Sequence, residues 1–346
     1  MNAHVGEEFT VGSLFSGIGG LDCGLTRAGW RYVFFCESDP WRRSVLAHHW
    51  PGVPIYDDVR AVGKPEGRTP ADRGGAPADL GGWEAGTGLL CGGFPCQDLS
   101  VAGRRAGLHA GERSSLFFEF ARIVDAVRPR WVLVENVPGL LSSQGGRDFG
   151  VVLGTLADLG YGLAWRVLDS RFFGVPQRRR RVFILGAVAD GDPRADAERA
   201  GQVLTVGTRC PRHPATRGEA REDAAVPFDG GAISTLQKPN GGWRIDAEAA
   251  AGGHLVTAFS HTQGIDAQPS ASAWLTLRRD GGGHAVGVAA QVRRLTPVEC
   301  ERLQGLPDGW TNPDGKAPDS RRYAALGDAV TATVGEWLGH RIASAA

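Results

Sequence analysis

The chain has 346 residues, 42% hydrophobic and 22% charged, enough for one large domain or a large one with a smaller companion. No run reaches the ~18 uninterrupted apolar residues of a membrane helix, and the polar, acidic start MNAHVGEEFT does not read as a secretory signal. The 38 acidic residues balance 38 basic ones, so net charge alone indicates no polyanionic partner.

Charge distribution says more. Only three of the basic residues are Lys (64, 238, 316), and the arginines cluster at 104–105, 178–181, 278–279, 293–294 and 321–322. Arg forks onto phosphates and base edges, so the four-residue block suggests a nucleic-acid contact. Six cysteines (23, 36, 91, 96, 210, 300) lack framework spacing and suit a reducing cytoplasm.

In chain order, FTVGSLFS (9–16) predicts a buried strand, and GIGGLDCGLTRAGW a glycine turn entering an amphipathic helix. YVFFCES (32–38) predicts a second strand ending in Glu37, WRRSVLAHHW a helix, and IYDDV (55–59) a third strand ending at Asp58. Residues 61–87 are rich in Gly, Pro and charge and read as a mobile surface excursion. TGLLCGG predicts a fourth strand, SLFFEFARIVDAVRP a helix stopped by Pro129, WVLVENV (131–137) a strand and DFGVVLGTLADLGY a helix. WRVLDS and RRVFILGAV predict further strands. Strands alternating with helices over the first ~190 residues predict a doubly wound α/β sheet.

After Asp190 the character changes. Residues 191–290 are Gly- and Ala-rich with almost no helical periodicity, which predicts a smaller, mostly irregular and β domain. Helical pattern returns in TPVECERLQGL, and ALGDAVTATVGEWLGHRIA predicts one closing amphipathic helix. The expected division is a catalytic domain over 9–190, completed by a C-terminal helix at 320–346, and a second domain over 191–319.

Chemistry-bearing residues collect at predicted strand ends. Gly17, Gly19 and Gly20 sit between a strand and a helix, where glycine lets a ligand approach the backbone and the helix N–H groups. Glu37 after strand two could accept from ribose hydroxyls, and Asp58 after strand three from an adenine amino group, a pattern expected at the carboxyl edge of a parallel sheet. Pro95-Cys96 follows the fourth strand in CGGFPCQDLS (91–100). The nearest thiol, Cys91, falls inside the strand, and Cys210/His213 is an isolated pair, so redox and zinc roles fit poorly. A nucleophile or a buried apolar thiol remains. Glu135 ends another strand, and in QRRRR (177–181) alternation sends Arg179 and Arg181 to one face.

A thiol, a carboxylic acid, a basic pair and an adenosyl site on one edge fit methylation of cytosine C5. Thiolate attack at C6, with a proton given to N3, makes C5 enamine-like; the thiol must be accessible and partly ionised.

With FSGIGG, GGFPCQDLS, ENV, Q-x-R-x-R, RRLTPVECERLQGLP and a closing G-D-A-V in this order over nearly the whole chain, the sequence resembles the DNA (cytosine-5)-methyltransferase family. The resemblance implies a Rossmann-like S-adenosylmethionine-dependent methyltransferase sheet with a target-recognition domain, no metal, and base flipping of double-stranded DNA. It implies Cys96 as nucleophile beside Gln97, Glu135 as the acid for N3, Asn136 orienting Glu135, and Arg179 and Arg181 holding cytosine O2 and a phosphate. Phe15, Gly17, Gly19, Gly20, Leu21, Glu37, Asp58, Val59, Pro95, Leu116, Asp328, Ala329 and Val330 would line the cofactor site. Ser100, Arg104, Arg105, Thr276, Leu277 and Arg278 would meet DNA, with Thr235-Leu236 an alternative Thr-Leu pair. The last helix would pack near the first glycine turn.

A cytoplasmic monomer is implied, with a cognate restriction endonuclease as functional partner where the enzyme is one of such a pair. Ser13 stands where many members have Asp, and Asp328 where Asn is common. The alternatives are an RNA cytosine-5 methyltransferase and a DNA-binding regulator without turnover. A nicotinamide oxidoreductase fits poorly, because the glycine spacing is not G-x-G-x-x-G.

Overall fold

The computed structural model describes residues 9–63, 83, 88–95, 116–189, 192–205, 257–259, 285–288 and 291–346. Two compact units emerge: residues 1–168, 180–206 and 334–346 form one, and 169–179 with 207–333 the other.

The first unit is built on a seven-stranded sheet. Its strands are β1 (Thr10–Leu14), β2 (Arg31–Cys36), β3 (Ile55–Tyr56), β4 (Leu89–Gly92), β5 (Trp131–Asn136), β6 (Gly162–Asp169) and β7 (Arg180–Ala187). Their order is β3-β2-β1-β4-β5-β7-β6. The first five are parallel neighbours, and β7 runs antiparallel to β5. β4 and β5 read as continuous apolar runs because both faces are covered: Leu89, Leu90, Cys91, Val132, Leu133 and Val134 are fully buried.

Helices α1 (Gly20–Arg27), α2 (Pro40–His49), α3 (Leu116–Val127) and α4 (Arg147–Asp158) follow β1, β2, β4 and β5. α2 starts where Asp39 accepts from the N–H groups of Trp41 and Arg42 and Pro40 takes the first position. α3 buries Phe117, Phe120, Ile123 and Val124 in the core shared with Val152 and Leu156 of α4, each such side chain contributing ~1.5–3 kcal/mol.

Two expectations are corrected. Residues Pro193–Leu204, read as the start of an irregular region, form a helix, α5. Asp192 caps it, Pro193 opens it, and Asp196, Ala200, Val203 and Leu204 make a buried stripe at helical spacing. The closing segment is two helices, α7 (Asp319–Asp328) and α8 (Ala332–Ala343), because the backbone turns extended at Ala329 (φ −59°, ψ 146°). The carbonyls freed by that break are taken by side chains: Gln304 Nε2 donates to Leu326 O (2.6 Å) and Ala329 O (3.2 Å), and Arg179 to Gly327 O and Asp328 O (2.9 Å each).

The last helix packs as the sequence reading expects. A Cβ on Gly335 would lie 2.6 Å from Leu21 O, and one on Gly339 2.7 Å from the Ala28 Cβ. The Trp30 indole N–H donates to Gly339 O at 3.1 Å.

The second unit holds α6 (Pro297–Leu303), α7 and an antiparallel sheet of β8 (Thr257–Phe259), β9 (Ala285–Val288) and β10 (Gln291–Arg294), ordered β10-β9-β8. Fully buried Glu301 accepts from the N–H groups of Gly309 and Thr311 and pairs with Arg322 at 3.2 Å. Among the described residues no helix is long and apolar enough to cross a membrane. Cys23, Cys36, Cys91 and Cys300 are free and buried.

Asp22 of α1 is 1% exposed, and burial pushes its carboxyl up to about 6, the Ser13 and Tyr32 side chains offsetting part of that. Folding favours its protonated form, so its contribution to stability is full near the ordinary carboxylate range and is lost as pH rises to about 6. At ~1.4 kcal/mol per pH unit the ionised form costs about 3 kcal/mol. Asp22→Asn is therefore expected to raise unfolding free energy at neutral pH by up to that amount and to flatten the acid-side slope. Urea denaturation across pH checks this; equal slopes in both proteins would assign the effect elsewhere.

Candidate active site

In a parallel sheet the carboxyl ends of the strands share one edge, and ligands collect where the strand order reverses. Here the chain winds outward from β1 to β2 and β3 on one side and to β4 and β5 on the other, so the switch point lies between β1 and β4.

The turn after β1 is tightly wound. Phe15 (φ 56°), Gly17 (φ 60°) and Gly19 (φ 76°) all adopt left-handed backbone, which for Phe15 is a strained state. Among the described residues nothing lies within 4 Å of where a Gly17 Cβ would be, so the backbone there is open to a ligand. Gly19 caps α1, and a side chain on it would strike the Trp50 ring at 2.6 Å. Gly20 and Leu21 begin the helix and are buried. Ser13 donates to Ser16 Oγ (3.0 Å), and Ser16 donates to Ser13 O (3.1 Å), which ties the turn to the strand.

Glu37, 7% exposed, joins this turn to β2. Its Oε2 accepts from Gly17 N–H (2.8 Å) and its Oε1 from Asp39 N–H (2.9 Å). A carboxylate has about four acceptor sites, so two remain for hydroxyl donors. Asp58 is exposed past the short β3, its Oδ1 accepting from Arg60 N–H at 2.9 Å, while the adjoining Val59 is buried. Leu116, half-buried, opens α3. An open glycine turn beside a carboxylate with spare acceptors, and a second carboxylate after the next strand, fit an adenosyl group.

β4 meets both neighbours, β1 and β5, closely at its end. A Cβ on Gly92 would lie 2.7 Å from Leu14 O, and one on Gly93 2.7 Å from Glu135 Oε2. Glu135 pairs with Arg181 (Oε1 to Nε 2.9 Å), both largely buried. Asn136, 4% exposed, donates from Nδ2 to Phe94 O (3.0 Å) and accepts from Val137 N–H (2.8 Å). Its amide holds the backbone one residue before exposed Pro95, a different task from the expected orienting of Glu135.

The structure separates the two arginines that strand alternation groups. Arg181 lies in β7 beside Glu135, whereas Arg179, 2% exposed, precedes β7, belongs to the second unit and donates to Gly327 O and Asp328 O. Asp328 is exposed, Ala329 buried and Val330 half-buried, all in that unit. Cys96, Gln97, Ser100, Arg104, Arg105, Thr235, Leu236, Thr276, Leu277 and Arg278 lie outside the described residues. Among the described residues no group of three or more His, Cys, Asp or Glu could hold a metal ion.

Sequence reasoning passes over Gln304 and Arg122. Gln304 is fully buried and also accepts from Gln177 (3.2 Å) and Thr331 (2.9 Å). Arg122 and Glu119 are a charged i,i+3 pair inside an otherwise apolar helix, FFEFARIV, which is the one local signal of a buried task.

A family model described as C-5 cytosine-specific DNA methylase matches residues 9–344. Type II methyltransferase M2.BsuMI of Bacillus subtilis (strain 168) is 30% identical over 350 residues, covering 96% of this chain and 75% of its own. Type II methyltransferase M.NgoBI of Neisseria gonorrhoeae is 31% identical over 321 residues, covering 93% and 89%. The S. pombe Dnmt2 methyltransferase structure aligns over 96% of this chain and 97% of its own with a TM-score of 0.59 at 17% identity, a likeness of fold.

The crowding at Gly92 is testable against a glycine with room. Gly92→Ala drives a carbon into the Leu14 carbonyl, which is backbone and cannot swing aside, and is expected to cost ~1–3 kcal/mol. Gly150→Ala, in α4 with nothing within 4 Å of the added carbon, is expected to stabilise by ~0.5–1 kcal/mol. Thermal melts of the two variants should move in opposite directions.

Proposed function

The chain belongs to the C-5 cytosine-specific DNA methylase family, and from that premise we propose that it transfers a methyl group from S-adenosylmethionine to C5 of cytosine in a specific duplex DNA sequence. The observation that carries this reading is the joined end of β4 and β5. Glu135 sits against Gly93 and pairs with Arg181, while Asn136 holds the Phe94 carbonyl two residues before Cys96.

Cys96 is the nucleophile. Its thiolate sulfur bonds to C6 of the base, and Glu135, in its protonated form, gives a proton to N3, so the ring electrons are left available at C5. Arg181 holds the Glu135 carboxyl and supplies positive charge beside the base. Glu37 binds the ribose hydroxyls, Asp58 the adenine amino group, and the Gly17–Gly20 turn leaves room for the rest. S-adenosylmethionine, when bound, supplies a methyl group on a sulfonium that leaves as a neutral thioether. A water molecule then takes the C5 proton, the C5–H electron pair re-forms the C5–C6 double bond and expels Cys96 as thiolate, and N3 returns its proton to Glu135. The thiolate must approach C6 through the face of the ring, which stacking covers in a duplex, so the base is flipped. Arg179, with two nitrogens on backbone carbonyls, serves the 327–328 turn. Residues 191–319, apart from α5, which belongs to the first unit, read the target, and a restriction endonuclease of the same specificity is the functional counterpart in the cytoplasm.

Expression in a host free of cytosine methylation, followed by sequencing with a 5-methylcytosine readout, tests the reading. Methylation at one short motif is expected, abolished in Cys96→Ser. Glu135→Gln is expected to lower single-turnover methylation by ~10²–10⁴-fold, with S-adenosylhomocysteine binding unchanged. Unmethylated DNA with soluble, cofactor-binding protein would overturn the assignment.

A further inference from the structure

β3 has only two residues, and its last rung is Glu37 N–H to Tyr56 O (2.9 Å). Beyond Tyr56 the sheet no longer holds the chain, yet Asp58 stands there. The segment after it is anchored by one side chain from a distant helix. Arg122 of α3 donates from NH2 to Val62 O (2.9 Å), Val59 O (3.2 Å) and Arg60 O (3.5 Å). Its Nε donates to Glu119 Oε2 (2.7 Å), one turn earlier on the same helix. Locally, Ala61 N–H bonds Asp58 O (3.0 Å) and Arg60 N–H bonds Asp58 Oδ1 (2.9 Å). Buried Val59 and Val62 pin the turn inward, and the Asp58 carboxylate is left facing out.

We propose that Arg122, braced by Glu119, is a positioning residue for adenine recognition: by holding the carbonyls of Val59 and Val62 it fixes the turn that presents Asp58. This rests on the reading of Asp58 as the acceptor for the adenine amino group. A helix is stiff over this span, so α3 carries Leu116 at its start and the clamp less than two turns later on one rigid body. The guanidinium suits the task because its fork serves a carboxylate and carbonyls together, which an ammonium cannot do in fixed geometry.

Calorimetric titration of S-adenosylhomocysteine and its inosine analogue, which carries a carbonyl in place of the amino group, separates positioning from general support. The wild-type chain is expected to prefer the adenosyl compound. Arg122→Gln is expected to weaken it about tenfold while barely changing the inosine analogue, so the preference collapses, with the ligand-free melting midpoint nearly kept. Glu119→Gln, which releases the Nε side and leaves the guanidinium, should shift the preference the same way and stands in if Arg122→Gln fails to fold. Equal weakening of both ligands, or a lower midpoint with the preference intact, would overturn the proposal. Asp58→Ala is the separate check. If it leaves the preference unchanged, the reading of Asp58 fails and takes the proposal with it; if it abolishes the preference while both clamp variants keep theirs, only Arg122's role falls.

Discussion

At the end of β4 there is no room for one more carbon atom toward either neighbouring strand. A Cβ at Gly93 would lie 2.7 Å from Glu135 Oε2, and one at Gly92 the same distance from Leu14 O. That closeness seats the Glu135 carboxylate against Gly93 and beside Arg181. It also brings Phe94 O within reach of Asn136, so the segment leading to Cys96 leaves the sheet in a set direction. A larger residue at either glycine would part the strands, and each of these contacts would lengthen together. Dense packing makes such sites fail abruptly, because the surroundings cannot absorb the displacement.

Polar side chains do much of the long-range assembly. Glu37 joins the first two strand ends through two backbone N–H groups, Gln304 and Arg179 take four successive carbonyls at residues 326–329, and Glu301 gathers two N–H groups and Arg322. Each hydrogen bond adds about 1 kcal/mol, but an orphaned buried partner costs ~1–3 kcal/mol, so the networks select one backbone path more than they add stability.

Much of the fold and part of the site can be read from the residues alone. The five parallel strands announce themselves as short apolar runs; Glu37 and Glu135 stand out because a carboxylate at the end of such a run is costly to bury unless it has a task, and Asp58 because it follows the third run at the same sheet edge. The break between α7 and α8 is not legible. Nothing in ALGDAVTATVG stops a helix strongly; the carbonyl partners that permit the break come from Gln304, 22 to 25 residues earlier, and from Arg179, nearly 150 residues earlier. Arg122 is hidden for the same reason, its carbonyl partners lying 60 or more residues away. α5 is different: its Asp-Pro opening and buried stripe were present locally, masked by an Ala- and Gly-rich setting. Strand alternation puts Arg179 and Arg181 on one face, but a two-residue period cannot say that β7 begins at Arg180, or that the two serve different units.

The packing of α8 on α1 has a consequence for biosynthesis. The Trp30 indole bonds to Gly339 O across 309 residues of chain. At ~5–20 residues per second, α1 and Trp30 emerge from a ribosome roughly 15–60 s before the helix that covers them. Until then the apolar surface that Gly335 and Gly339 will meet is open to water and to chaperones. The first unit is therefore completed only once α8 has been made, 309 residues after Trp30.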